Sequence, residues 1–572
     1  MKMLMGYVKK HKLFMIIGPI FKLFETLLEL ANPIIVAQII DRGVKTSNTS
    51  TIFKLGAILV VINLLGFIFS VIGQKCASLT STRIAASMRK DVFAKIASLS
   101  HAELDKFGTA SLVNRLTNDI NQIESAIGVF MRTIMRVPFL LIGAFVLSLI
   151  INVKMSLIFL VLIPILVVGL VIYTKKTTPY FYNIKVKLDR ISKVTKENLS
   201  GTRVIRAFNK QDDEQSRFDT VCEDYTKTSI KVSKISALLE PTIFMIVDIA
   251  TIALLAIGGW QVNAGSMTQG DIIALIDYVA IITISLLLIS QILVMFVRTG
   301  TSIKRIGEVF KTEASIQNSP DAKKARIKKY DALMEFKDVS FNYSANNQVK
   351  SFIKNLSFKI MPGQTIGIIG GTGSGKTTIA NLMVRFYDTT KGEILYKGKN
   401  IKEYDIGQLR KEISIVQQRS TLFSGSLRKN MQLRNKKATD KEIIEALKIS
   451  QAWSFVSDWK DPLEHQIMAG GKNVSGGQMQ RLTIARALIN KPEMLILDDS
   501  SSALDFLTDS KLRKAIKELE TTTVYISQRA TSIRAADLII VLDNGDVVGM
   551  GKHNQLMKNC DIYREIYESQ AK

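Results

Sequence analysis

The sequence predicts a two-part protein. An α-helical membrane domain of six transmembrane helices with long cytosolic extensions is followed by a soluble α/β domain. The first half holds several apolar runs of about 20 residues, the length needed to cross a bilayer. The second half sets short apolar strand runs between helical patterns. At 572 residues the chain is also too long for one compact domain.

The expected spans are Leu13–Ile40, Phe53–Gly73, Ile127–Ile150, Met155–Tyr173, Thr242–Trp260 and Ile272–Val297. The third and fourth are separated only by Ile151–Lys154, and Gln261–Asp271 between the fifth and sixth holds no Lys or Arg. The other two connections, Gln74–Ala126 and Thr174–Pro241, are rich in both. The positive-inside bias therefore puts these long segments, both termini and the second half in the cytosol, with the plasma membrane as the expected location. Their helical periodicity predicts extensions of the membrane helices that turn back near His101–Gly108 and near Glu197–Phe208. The basic stretch Lys2–Lys12 imitates a signal peptide, but no small-residue cleavage site follows, so an interfacial segment leading into a retained span is expected. The charged stretch from Lys304 to Lys329 reads as a linker, which gives a membrane domain over 1–310, a linker over 311–333 and the soluble domain over 334–572. No internal repeat is found, so the six spans form one unit.

A net charge of +26 raises the question of nucleic acid, but much of the excess lies between apolar runs, without the aromatic interleaving of single-strand binders. Membrane lipid, not nucleic acid, is the partner it implies. Cys76, Cys222 and Cys560 lie far apart and make no metal or redox spacing.

The chemistry is concentrated in IIGGTGSGKTT, Ile368 to Thr378. A buried strand precedes it and a helical pattern follows, which is the strand–loop–helix setting of a phosphate-binding loop. Its glycines let backbone N–H groups close round an anion at a helix N-terminus. Gly371, Thr372, Gly373, Ser374, Gly375 and Thr378 build that cradle, Lys376 is placed to reach terminal phosphates, and the Thr377 hydroxyl to ligate Mg²⁺. The domain is thus an α/β P-loop NTPase domain for ATP and Mg²⁺. Tyr343 ends an alternating strand and is placed to stack on adenine, or else packs as an edge aromatic. Gln418 ends the strand SIVQQ and offers an amide to Mg²⁺ or water. In MLILDD, Met494 to Asp499, a buried strand ends in two carboxylates whose burial needs compensation, so Asp498 is the natural Mg²⁺ partner of Thr377. Gln528 ends a further strand. The stretch VSGGQ, Val474 to Gln478, opens a helix and makes a second anion-binding N-terminus from Ser475, Gly476 and Gly477. Two phosphate-binding surfaces in one domain imply nucleotide shared between two domains.

These motifs in this order, with SSALD from Ser501 to Asp505, resemble the ATP-binding cassette (ABC) superfamily, and the spans ahead of them resemble an exporter-type half-transporter. The resemblance covers essentially the whole chain. It implies a helical subdomain within the cassette, and two cassettes that pair head to tail, with each ATP between one chain's phosphate loop and the other's Ser475-Gly476-Gly477-Gln478 signature, and it adds Asp505 as a catalytic-site residue. It also implies that the turns near Phe107 and Gly201 are coupling helices, with Gln418 and STLFSGSL as their contact.

Three positions depart from the family pattern. Asp499 stands where the family has its hydrolytic glutamate, withdrawing the carboxylate by one methylene, about 1.5 Å. A misplacement of about 1 Å can cost about 10²-fold in rate. Gln528 stands at the switch histidine and cannot carry its proton-dependent charge. Ala469 stands where an acid usually precedes the signature. An intact signature beside a damaged site resembles one subunit of the heterodimeric bacterial exporters, many of them multidrug pumps. The expected function is efflux of amphipathic drugs or lipid-like small-molecule substrates with a second half-transporter chain. Lipid or peptide export, and a nucleotide-sensing half without transport of its own, are the alternatives. Glu25, Glu29, Asp248 and Asp277 lie inside spans and are pathway candidates for cationic cargo, or else pair structurally with groups such as Arg132 and Arg136.

Overall fold

The computed structural model describes residues 2–319, 330–343, 352–500 and 503–571. The chain divides into two compact units, Met1–Ala97 with Ala110–Thr312, and Ser98–Thr109 with Glu313–Lys572.

The first unit is built of long helical rods. A short helix, Lys2–Lys10, precedes Lys12–Ile39, and Thr49–Ala97 follows. Thr109–Asn114, Ile120–Val129 and Arg136–Ile151 run on through π-helical turns at Arg115–Asp119 and Phe130–Ile134. Then come Val153–Ala207, the pair Gln211–Ala237 and Leu239–Asn263, and Gln269–Lys311. Among the described residues, five rods contain a stretch apolar enough to span a bilayer. Lys12–Ile39 is long enough, at 28 residues, but carries Lys22, Glu25 and Glu29. Helices satisfy their own backbone groups, which hydrocarbon requires. Val153–Ala207 has 55 residues, about 80 Å against a hydrocarbon core of about 30 Å, so it extends well beyond the membrane.

The connections follow local chemistry. Asn152 alone breaks the third span from the fourth, at φ −158°, and its Oδ1 accepts from Met155 N at 3.1 Å. Thr268 and Asp271 close a reciprocal capping box ahead of the sixth span. The first reversal between long helices is the helix His101–Phe107, stopped by Gly108 at φ +73°. The second differs from expectation. Helix Val153–Ala207 continues through Gly201, and the chain turns at Phe208–Lys210, with Asn209 at φ +52°. One interior glycine costs a helix only about 1 kcal/mol, whereas asparagine tolerates the left-handed conformation a reversal needs. The linker also begins later than its charge suggested. Lys304–Lys311 completes the sixth-span helix, where Arg305 Nε donates to the buried Asp119 carboxylate at 2.9 Å. Residues 320–329 of that linker lie outside the described residues.

Two of the four intramembrane acids are ion-paired. Lys22 Nζ lies 2.6 Å from Glu25, and Arg136 lies 3.6 Å from Glu25 and 2.7 Å from Glu29. Glu25 and Glu29 are thus compensated and do not make an acidic cavity. Asp248 and Asp277 make no ion pair among the described residues.

In the second unit the strands, in chain order, are β1 Met334–Phe341, β2 Ile353–Ile360, β3 Thr365–Gly370, β4 Lys391–Tyr396, β5 Lys399–Asn400, β6 Ile413–Val416, β7 Gly425–Ser426, β8 Gln466–Ile467, β9 Met494–Asp498, β10 Thr522–Ile526, β11 Leu538–Asp543 and β12 Asp546–Gly551. One sheet has the order β12-β11-β3-β10-β9-β6, parallel except for β12. An antiparallel sheet, β2-β1-β4-β5, shares a core with it through Phe336, Ile366, Ile368, Ile496 and Val524. A second core joins helices Asp440–Ile449 and Gly476–Leu488 through Ile443, Leu447, Leu482 and Ile484, forming a helical subdomain. The His101–Phe107 helix belongs to this unit. His101 stacks on Phe386 at 4.1 Å and Tyr387 donates to Asp105 at 2.6 Å.

Truncating Arg136 leaves Glu29 uncompensated and Glu25 with Lys22 as its remaining partner. Arg136→Ala is expected to destabilise the membrane domain by about 1–3 kcal/mol, between the exposed and buried limits for ion pairs. Adding Glu29→Gln should recover part of that loss. Thermal unfolding of the detergent-solubilised protein reads both.

Candidate functional site

Parallel strands of one sheet present their carboxyl ends along a single edge, where open α/β sheets bind ligands. Here β3, β10, β9 and β6 are consecutive neighbours. β3 runs into the phosphate loop, β10 leads to Gln528, β9 ends in Asp498, and β6 leads to Gln418. One cavity of about 160 Å³ is lined by Thr372, Gly373, Gly375, Lys376, Thr377, Thr378, Gln418, Asp498, Asp499 and Gln528. Residues 156 positions apart are thus gathered by strand order.

The loop's shape explains its glycines. Gly375 sits at φ +104°, and a Cβ there would lie 2.4 Å from Ile353 Cδ1. A Cβ on Gly370 would lie 2.2 Å from the Leu542 carbonyl oxygen. Lys376 Nζ donates to the carbonyls of Gly370 at 2.8 Å and Gly371 at 2.6 Å, with Ser374 Oγ at 3.4 Å. Gly371 and Ser374 thus hold the lysine without lining the cavity. Burial pulls the Lys376 ammonium below its usual range, against the opposing pull of Asp498 and Asp499.

Asp498 is 3% exposed, and Thr377 donates to it. Burial pushes its carboxyl above the usual carboxylate range, and neighbouring Asp499 adds to that rise. Asp499 takes φ +46°, and its N–H donates to the Ile526 carbonyl at 2.8 Å. Gln418 Nε2 lies 3.5 Å from Asp499 Oδ2. Burial raises the Asp499 carboxyl too, opposed by Lys376, Arg529 and Gln418. A hydroxyl, an amide and two acids form an oxygen-rich donor set that suits Mg²⁺ completed by phosphates and water.

Tyr343 is half exposed, its hydroxyl 3.0 Å from Thr378 Oγ1. Its ring meets Phe341 edge-on at 4.8 Å and Tyr387 at 5.2 Å. Phe352, at the foot of β2, lines the cavity as well. Sequence reading missed it because no motif marks a strand's first aromatic.

The signature is elsewhere in the unit. Ser475, Gly476, Gly477, Gln478 and Asp505 are not among the residues lining the cavity. Ser475 caps helix Gly476–Leu488. Its Oγ accepts from Gln478 N at 3.3 Å, and Gln478 Oε1 accepts from Ser475 N at 2.9 Å. A Cβ on Gly477 would lie 2.9 Å from the Ala503 carbonyl oxygen. Asp505 caps the next helix, Phe506–Lys517, accepting from Thr508 N at 2.9 Å. Ser501 and Ser502 of SSALD lie outside the described residues.

Gly375→Ala forces a side chain into a left-handed position and against Ile353. We expect nucleotide affinity to fall by about 10-fold or more, from strain of about 1–3 kcal/mol plus the clash. Equilibrium titration of the purified chain with ATP measures it.

Comparison with known proteins agrees with this architecture. Residues 15–286 match the family model of the ABC transporter transmembrane region, and residues 353–502 match that of the ABC transporter. The chain is 32% identical over 573 residues to an uncharacterized ABC transporter ATP-binding protein of Bacillus subtilis, YfiB, covering 100% of this chain and 98% of that one. It is 30% identical over 574 residues to an uncharacterized ABC transporter ATP-binding protein of Mycobacterium tuberculosis, with the same coverage. A bacterial Atm1-family ABC exporter solved with ATP bound superposes at a TM-score of 0.78 and 20% identity, over 99% of each chain. The chain belongs to the ABC transporter family, as a multi-pass half-transporter that joins one membrane domain to one ATP-binding cassette in the exporter fold.

Proposed function

We propose that this chain is one half of a heterodimeric ATP-driven exporter at the plasma membrane. Its own site holds ATP with Mg²⁺ and turns it over slowly, while its signature completes the partner's active site. The observation that carries this reading is the pairing of Asp499 and Gln528 in the phosphate cavity with a complete capping box at Ser475.

The binding parts of the site fit nucleotide. Lys376 lines the cavity within the phosphate loop, and the loop glycines leave room for an anion against backbone N–H groups. Thr377 and Asp498 are placed to hold Mg²⁺, with Gln418 beside them; the ion, when bound, neutralises phosphate charge. The hydrolytic parts fit less well. Asp499 falls one methylene short of the family's glutamate and sits next to the Gln418 amide. Gln528 donates a neutral hydrogen bond where a histidine would bring charge. Tyr343, half exposed with its hydroxyl beside Thr378, is the residue proposed to support adenine.

For cargo, Asp248 and Asp277 are the intramembrane acids left open to a cationic amphiphile, since Glu25 and Glu29 are paired. Both termini and the helix tips at Phe107 and Phe208 lie in the cytosol under this reading.

The two sites of the complex separate by mutation. With the partner chain co-expressed, Ser475→Arg is expected to lower ATPase activity by roughly 10-fold or more, as loss of a charge-stabilising contact does. Asp499→Asn should change it by less than about 2-fold, because the glutamate role is already lost. The reverse ranking overturns the asymmetric assignment. In vesicles, Asp277→Asn should reduce ATP-dependent flux of a permanently cationic dye while sparing a neutral one. Equal loss of both rejects the cationic-cargo reading.

A further inference from the structure

The helix Asp561–Ala571 ends against the loop that carries Gln528. It is seated in the apolar cluster that also holds the phosphate-loop strand. Ile369, Ala530, Ile533 and Tyr563 are each at most 1% exposed within it. At the last turn of this helix, one side chain makes two bonds to one stretch of backbone. Gln570 Oε1 accepts from Ala530 N at 2.8 Å, and Gln570 Nε2 donates to the Gln528 carbonyl at 2.7 Å.

A carboxamide that serves the carbonyl of one residue and the N–H two residues on imitates a neighbouring strand. Only one amide orientation works, because the flipped group would set donor against donor and acceptor against acceptor. Other bonds hold the loop from within and from β3. Ser527 N donates to the Ile368 carbonyl at 3.1 Å, and Arg529 N to Ser527 Oγ at 2.9 Å. Gln570 therefore clamps Gln528 to Ala530 from outside the sheet, just behind the cavity wall.

We propose that Gln570 is a positioning residue for the nucleotide site, fixing the backbone from which Gln528 reaches the terminal phosphate. The C-terminal helix is then a working part of the ATP site. This rests on the reading of Gln528 given above.

The test uses the full chain in lipid nanodiscs, titrated separately with ATP and ADP, alongside hydrogen exchange at the Ala530 amide. Gln570→Ala should weaken ATP by about 3- to 10-fold, the span of one or two lost neutral hydrogen bonds. ADP, lacking the phosphate that Gln528 faces, should bind unchanged. The double variant with Gln528→Ala should be no worse than Gln528→Ala alone, because both act through one group. Exchange at Ala530 should accelerate in Gln570→Ala. In Gln570→Glu it should stay slower than in Gln570→Ala, since the acceptor for Ala530 survives.

Parallel loss of ATP and ADP affinity, additive effects, or unchanged Ala530 exchange would overturn the proposal. If Gln528→Ala shifts the ATP preference and Gln570→Ala does not, the clamp alone is wrong. If Gln528→Ala leaves the preference intact, the reading of Gln528 fails and takes this one with it.

Discussion

The nucleotide site depends on the register of four parallel strands. Ile526 pairs with Ile368 on one side and Asp498 on the other, and Leu497 pairs with Val416. That register levels the strand ends, so the phosphate loop, Gln528, Asp498 and Gln418 emerge at one edge. Side chains alternate along a strand, so a one-residue slip of β9 would put Leu497 or Asp499 in the place of Asp498. The slip is opposed by the core itself: Ile366, Ile368, Ile496 and Val524 are fully buried. Apolar packing thus sets the position of charged groups it does not touch.

The same low-dielectric setting makes the acids useful and costly. Asp498 and Asp499 are adjacent, and burial disfavours charge on both. Lys376 and Thr377 compensate them in part, which leaves a site that gains from a further cation. In the membrane unit the corresponding cost is met internally. Lys22, Glu25, Arg136 and Glu29 alternate in sign and sum to zero. One cluster is closed by its own partners, and the other still has use for a ligand.

What was legible in the sequence was local. The phosphate loop, VSGGQ and MLILDD are contiguous, and each needs its residue types for reasons internal to the stretch. The apolar runs showed the spans for the same reason. Long-range pairing was not legible. Arg136 reaches Glu29 across 107 positions and Gln570 reaches Gln528 across 42, and no periodicity marks either. The second reversal falls at Phe208–Lys210, the far end of the stretch expected for it, because the decisive residue, Asn209, is only a modest breaker by type. Lys304–Lys311 looked like linker by charge, yet its partner Asp119 lies 186 positions away.

The glycines of the signature separate what the fold requires from what a ligand requires. The Ser475–Gln478 box would cap this helix in any protein, so its integrity has a sufficient reason within one chain. Gly477 has one as well, because the Ala503 carbonyl stands where its Cβ would go. Gly476 has none. Among the described residues nothing lies within 4 Å of a Cβ built there, and its φ is not positive. A glycine in the first turn gives up about 1 kcal/mol of helix stability relative to alanine. Something approaching the bare backbone from outside the chain would offset that cost. An anion at this helix N-terminus is such a visitor, and this chain's own phosphate cavity is not lined by Gly476. On the proposed head-to-tail reading, that anion is a phosphate of nucleotide held by another cassette.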